Sequence, residues 1–418
     1  MGEPRVRRRD DRGDNRVPTA EQGSLTCIVA PIEDHELIVF EPPARSFAPS
    51  RVSSDWIQPH GGLSPADSCS VTEVTDSAEI LLRAAVLADE DLFPGALETD
   101  ASRVVPLDRL DALGAAGFYG MFGPVEAGGL DADPLTGAEV TEILAGACLT
   151  TTFVWTQHHS AVVAVAGCES EDLRSEWLAP LCSGERRAGV AFAGLRRTGP
   201  PILTATPSDG GFVLNGIAPW VSGWGRIDVV HTAARDEEGK VVWLLVDALA
   251  SSSLEPTRLE LAAVNASSTV RLGFHDHFVS EDRLTLVEPF AAWKERDAAG
   301  LWRNGSFSLG LARRCSLLLG SDLIEDEIAA CRKLLLNSAP ETVVNARVRA
   351  CELAVRAASA LVAAGGGRSV LASEHAQRLA REAMFLLVLG QTPGMRETQL
   401  LRYQQSSAAA ARELHGDG

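Results

Sequence analysis

From Asp76 onward the chain repeats with a period of about 3.6 residues. Ile80, Ala84 and Leu87 share one stripe and Glu79, Arg83 and Glu90 lie off it, the pattern of an amphipathic helix. Pro106 stands where a first helical turn tolerates proline, ahead of Leu107, Leu110 and Leu113, and Gly114 and Gly117 stop that helix. Leu173, Trp177, Leu178 and Leu181 form one face of a further helix over 171–182, ended by Ser183-Gly184. Beyond Gly184 the pattern shortens to extended runs at 189–192, 212–215, 228–234, 241–247 and 268–272. Asp209-Gly210 and Glu238-Gly239 supply residues that accept positive φ between flanking runs, so hairpins are expected there. After about Phe290 the helical period returns through 309–319, 323–336, 343–362 and 374–389. Strands bracketed by helices predict an α+β multidomain fold: a helical domain over 76–185, a β domain over 186–290 and a helical bundle over 291–410. Residues 1–75 show no sustained period and are broken by Pro42, Pro43, Pro49, Pro59 and Pro65, which predicts a disordered leader.

Composition narrows the partners. With 418 residues, of which 45% are hydrophobic, the chain can bury two or three cores. A net charge of -18 repels a phosphate backbone and an anionic membrane alike, so nucleic acid and membrane are excluded as expected partners. The eight cysteines form no CxxC pair and predict reduced buried thiols rather than a zinc knuckle. No run reaches the apolar length of a membrane span, and the start mixes arginines with Asp10, Asp11 and Asp14, unlike a signal core. The expected location is the cytoplasm.

Short motifs add chemistry to this outline. Leu113-Gly-Ala-Ala-Gly-Phe-Tyr-Gly-Met with Pro124-Val-Glu-Ala-Gly-Gly-Leu130, then Trp177-Leu-Ala-Pro-Leu-Cys-Ser-Gly-Glu185, Asp209-Gly-Gly-Phe-Val-Leu-Asn-Gly216, Pro219-Trp-Val-Ser-Gly-Trp-Gly-Arg-Ile-Asp228 and Arg271-Leu-Gly-Phe-His-Asp-His-Phe-Val follow one another in order. Together they resemble the acyl-CoA dehydrogenase family across roughly residues 76 to 400. The resemblance implies FAD as cofactor, acyl-CoA or another acyl thioester as substrate, α,β-dehydrogenation as the reaction, and a homo- or hetero-oligomer. It implies flavin contacts at Phe192, Ala193, Trp220, Val221 and Ser222. An aromatic plane beside a small hydroxyl suits a flat ring with polar edges, whereas the bland alternative has Trp220 and Trp224 filling a domain seam.

The same resemblance exposes departures. α-Proton removal requires a carboxylate in a dry pocket. In Arg381-Glu-Ala-Met-Phe-Leu-Leu-Val-Leu-Gly-Gln-Thr392 the family's base position falls at Gly390, and the position used by a second subgroup falls at Gly300. The catalytic base is therefore unassigned. The loop Phe192-Ala-Gly-Leu-Arg-Arg-Thr-Gly199 lacks the acid and the Ser-Asp of the family's equivalent. The stretch from Gly310 to Gly365 is short for the two long helices and loop of the family's bundle, and the segment that reaches a neighbouring subunit's FAD is missing. These losses favour two rivals: a flavin monooxygenase or oxidase on the same fold, which needs no carboxylate base, and a noncatalytic subunit of a heteromeric dehydrogenase.

Elsewhere no metal site is expected. His158 and His159 are adjacent and project from different sides of a helix, and His275 and His277 share a strand face without a third ligand. Arg196-Arg197 reads as a solvated turn slightly ahead of an anion grip.

Overall fold

In this computed structural model, residues 71–404 are described. The predicted leader lies outside them up to residue 70, as do Cys27 and Cys69. The N-terminal part comprises α1 (Val71–Leu87), α2 (Ala96–Ala101), α3 (Leu107–Ala115), α4 (Pro134–Ala147), α5 (Leu149–Ala166) and α6 (Glu171–Ser183). Asp133 caps α4 by accepting from the Leu135 and Thr136 amides, with Pro134 at the first helical position. Ser170 caps α6, and Gly184 ends it at φ +77. Helices α4 and α5 lack a single apolar stripe because both are covered on most sides, so a face-based period is weak along them.

The middle part is a single sheet of β1 (Ala188–Ala191), β2 (Leu203–Ser208), β3 (Gly211–Val221), β4 (Val229–Arg235), β5 (Lys240–Asp247), β6 (Leu254–Arg258), β7 (Val270–Ser280) and β8 (Leu284–Pro289). The order is β6-β7-β3-β2-β4-β5-β8. Strand β1 pairs parallel with β4 from Ala188↔Val229 to Ala191↔Thr232, and β2 joins the same edge of β4 at Thr204↔Arg235. The chain between β1 and β2 therefore leaves and re-enters the sheet at one split, and a small cleft there is lined by Gly194, Arg197, Ile202, Arg235 and Phe290. Both expected hairpins form, with Gly210 at φ +72 and Gly239 at φ +82. Strands β2, β6 and β8 had no counterpart among the predicted runs. β6 and β8 are the sheet edges, where Pro256 and Pro289 cost no central ladder bond.

The C-terminal part runs through α7 (Phe290–Ala299), α8 (Gly305–Leu319), α9 (Asp322–Leu336), α10 (Val343–Gly365), α11 (His375–Leu386) and α12 (Pro393–Gln404). Its core joins Leu309, Leu311, Ala312 and Cys315 of α8 to Ala350, Leu353 and Ala354 of α10 and Leu379 and Leu386 of α11. Helices α4 and α8 cross at Gly146 and Gly310, where an added Cβ at Gly310 would lie 2.0 Å from the Glu142 carbonyl oxygen. The six cysteines among the described residues are free and buried. No described helix is long and apolar enough to cross a membrane.

Candidate active site

Strand β1 ends at Ala191. Phe192 follows at φ -136, ψ -6, and residues Ala193–Arg196 make a 3-10 turn closed by the Leu195 amide donating to the Phe192 carbonyl at 2.8 Å. The turn is pinned at both ends. The Arg196 guanidinium lies 5.0 Å over the Phe192 ring and donates twice to Asp297 of α7, from Nε at 2.9 Å and from Nη2 at 2.6 Å. This corrects the reading of Arg196 as a solvated turn: its charge is committed to a carboxylate of the chain itself, and both side chains are only 19% exposed. Arg197 instead lines the cleft at the sheet split.

Strand β3 finishes beside this turn. A Cβ on Gly194 would lie 3.8 Å from Pro219 Cδ, and one on Gly189 would lie 3.0 Å from the Ser222 carbonyl oxygen. The β3–β7 register slips between Ala218 and Val221, and in that bulge Trp220 takes φ +62, a conformation bulky side chains rarely adopt. Its indole is 59% exposed, so it does not fill a seam among the described residues; Trp224 is the one that packs against the sheet core. Val221, the next residue, is fully buried in the sheet core. The Ser222 hydroxyl turns inward, sharing a hydrogen bond of 2.8 Å with Thr269, which in turn meets Ser267 at 2.7 Å.

Gly390 approaches the same turn from the C-terminal part. The predicted helix over 374–389 ends at Leu386, and Gly390 occupies a turn at φ +60. A Cβ there would lie 2.6 Å from Asn304 Nδ2 and 3.4 Å from Arg196 Nη1. Gly390 is thus brought close to Arg196 of the turn that follows β1. Gly300, the other base position, caps α7, and its Cβ would face Arg303 Nη1 at 3.5 Å. Asp297, nearly one turn earlier on α7, is the carboxylate that reaches the cluster. Sequence reading passed over it, although its spacing from Gly300 is a usable signal.

Arg347 was also missed. It lies in α10 with no exposed surface, and its Nη2 donates to the Leu389 carbonyl at 3.3 Å, next to Gly390. Its Nε and Nη1 have no acceptor among the described residues. Burial lowers its pKa; Cys351 offsets part of this, and the positive charge of Arg196 lowers it again. Burial has a comparable effect on the paired histidines. His158 accepts the Ala188 amide at 3.0 Å and holds the Leu181 carbonyl at 3.0 Å, with its pKa pushed down to about 3. His159 sits against Phe122 and Trp155, as a core residue. The shared strand face expected for His275 and His277 is interrupted at Asp276, φ +48. His275 faces Glu255 at 3.6 Å, while His277 bonds Ser253 at 2.9 Å.

Comparison with known proteins bears on the fold. Residues 75–185 match the family model described as acyl-CoA dehydrogenase, N-terminal domain. Human mitochondrial short-chain specific acyl-CoA dehydrogenase is 24% identical over 231 residues, 53% of this chain and 56% of that protein. Bovine mitochondrial isobutyryl-CoA dehydrogenase is 26% identical over 151 residues, 35% of this chain and 36% of that protein. The matched stretch thus spans about half, or less, of the curated relatives' length. Among solved structures, butyryl-CoA dehydrogenase from Megasphaera elsdenii superposes with a TM-score of 0.67 at 17% identity, covering 84% of this chain and 100% of that one, which establishes the fold. Its sequence motifs, its matched N-terminal domain and its helix–sheet–helix architecture together support a divergent member of the acyl-CoA dehydrogenase family.

Proposed function

We propose that this chain is an FAD-dependent oxidoreductase acting on an acyl thioester. The observation that carries the reading is Trp220: a large aromatic held at φ +62 and 59% exposed, at the end of β3 beside the turn after β1. Strain of this kind, of about 1–3 kcal/mol, persists where the surroundings over-determine it, and such outliers cluster at ligand sites. The residues fit the ring end of the cofactor, since Trp220 offers a flat face and Phe192 and Ala193 offer turn backbone. When bound, FAD supplies the hydride acceptor for α,β-dehydrogenation. Val221 anchors the end of β3 in the sheet core, and Arg196 fixes the turn to α7. Ser222 acts through Thr269, holding the end of β3, and does not present its hydroxyl outward.

Proton removal is the weak point of that reaction here. Gly390 offers no carboxylate, and Asp297 is held by two nitrogens of Arg196. The crowding of Gly390 by Asn304 and Arg196 favours a second reading, either an oxidase or monooxygenase or a noncatalytic subunit of a hetero-oligomer. The deciding measurement is the absorbance spectrum of the purified protein during FAD titration, alone and with any co-purifying partner. A flavin spectrum at one equivalent is expected; a protein that stays colourless throughout sinks the cofactor assignment. Slow oxidation of saturated acyl-CoA beside rapid oxygen consumption would select the oxidase reading.

A further inference from the structure

Arg347 has no assigned role in the reaction above. A fully buried guanidinium with unmet donors carries a large desolvation cost unless an anion accompanies it. Its Nη2 already holds the Leu389 carbonyl; the neighbouring Cys351 favours its charge, whereas the nearby cation Arg196 opposes it. Asp297 is bound by Arg196, so that carboxylate is already engaged. The turn it supports carries Gly390, whose missing side chain leaves Asn304 Nδ2 and Arg196 Nη1 as the nearest groups. All of these are donors. Three elements distant in sequence, the turn after β1, the segment before α8 and the end of α11, thus bring donors and positive charge together beside α10.

We infer that this spot takes a carboxylate carried by the ligand: the chain binds an acyl thioester whose acyl group ends in a second carboxylate, received by Arg347 with Asn304 beside it. The inference rests on the acyl-thioester reading and specifies its substrate class. Guanidinium groups suit carboxylates because several N–H donors in a fixed plane meet oxygen lone pairs at once, and the interaction strengthens where water is excluded. A neutral acyl chain of the same length leaves the buried cation unmatched, which is how a site rejects an analogue lacking the expected polar group.

Succinyl-CoA and butyryl-CoA, both four-carbon acyl groups, test it by equilibrium calorimetry on the full chain with its flavin content measured from the spectrum. Succinyl-CoA is expected to bind the wild type at least about tenfold tighter. Arg347→Met should abolish the preference, and Arg347→Lys should keep part of it. Removing an uncompensated buried cation should leave the melting temperature of the free Arg347→Met protein unchanged or higher. Equal binding of the two thioesters by the wild type overturns the inference and leaves the flavoprotein reading intact. So does a preference that survives Arg347→Met, or a large fall in melting temperature showing that Arg347 serves packing. Binding of neither thioester overturns both readings. An Arg347-dependent preference in a protein that takes up no flavin upholds the inference and sinks the cofactor.

Discussion

Trp220 separates two requirements that usually coincide. Its left-handed backbone costs on the order of 1 kcal/mol in a residue with a Cβ, and its exposed ring recovers little by packing. Trp220→Gly should therefore melt at a higher temperature than the wild type while losing flavin affinity, a trade expected of site residues. Trp220→Ala should weaken FAD binding by about 1 kcal/mol, roughly fivefold, as for a lost aromatic stack; unchanged affinity in a fluorescence titration would reduce the tryptophan to a surface residue. Gly390 gives the opposite expectation. At φ +60, with Asn304 Nδ2 2.6 Å from the position of a Cβ, Gly390→Glu should destabilise by about 1–3 kcal/mol and should not raise acyl-CoA oxidation. A gain in turnover on that substitution would show that the turn can relax and that only the carboxylate was wanting.

Helix pairs set the geometry around these residues. The motif Leu309-Gly-Leu-Ala312 has a packing reason independent of any chemistry: Gly310 lets α8 approach α4 until backbones touch, and Gly146 answers it from the other helix, where a Cβ would lie 2.6 Å from the Gly310 carbonyl oxygen. Because both obstructing atoms belong to backbone, the crossing cannot yield locally. Gly310→Ala should cost about 3 kcal/mol, read as a drop in chemical-denaturation midpoint, and a neutral result would mean the helices slide apart freely. The same crossing is reinforced by Arg332 of α9, which donates to Glu142 of α4 from Nε at 3.1 Å. At the site, the Arg196–Asp297 pair plays the corresponding part, tying the turn after β1 to α7.

At the scale of the molecule, the helical and sheet parts are joined by neutral histidines in apolar surroundings. His158 of α5 links α6 to β1, and Ser160 of α5 meets His231 of β4 at 2.8 Å, which bonds Thr285 of β8 at 2.9 Å. Burial pushes both imidazoles down to about 3. An unfolded histidine titrates near about 6.5, so between these values the unfolded chain takes up protons that the folded chain refuses. Stability therefore rises with pH across that window and is lost as pH falls from about 6.5 toward 3. At about pH 5 each histidine should cost about 2 kcal/mol relative to neutral pH. Calorimetry at a series of pH values should show the melting temperature falling on acidification, with a shallower slope in His158→Asn. An identical slope in that variant would remove His158 from the account.

The order helix, sheet, helix was legible in the sequence because periodicity is a local property: one apolar face per turn, or alternation along a strand, follows from which side each segment buries. The Asp209-Gly210 and Glu238-Gly239 turns were legible for the same reason, and Trp220 stood out through its motif context. Where a segment is covered on most sides, as in α5, or lies at a sheet edge, as in β6 and β8, the local pattern is weak and only the neighbours define the element. The predicted helix over 374–389 overran because nothing in its composition announced the left-handed turn at Gly390, which the approach of Asn304 and Arg196 accompanies. The inward turn of Ser222 depends on Thr269, and the pinning of Arg196 depends on Asp297, each far along the chain. Sequence alone determined the order of helical and sheet parts and singled out the segments proposed for the site. Tertiary structure decided which charges are paired, which hydroxyls are free and which buried cation lacks a partner, because those properties belong to contacts between residues that the chain itself keeps far apart.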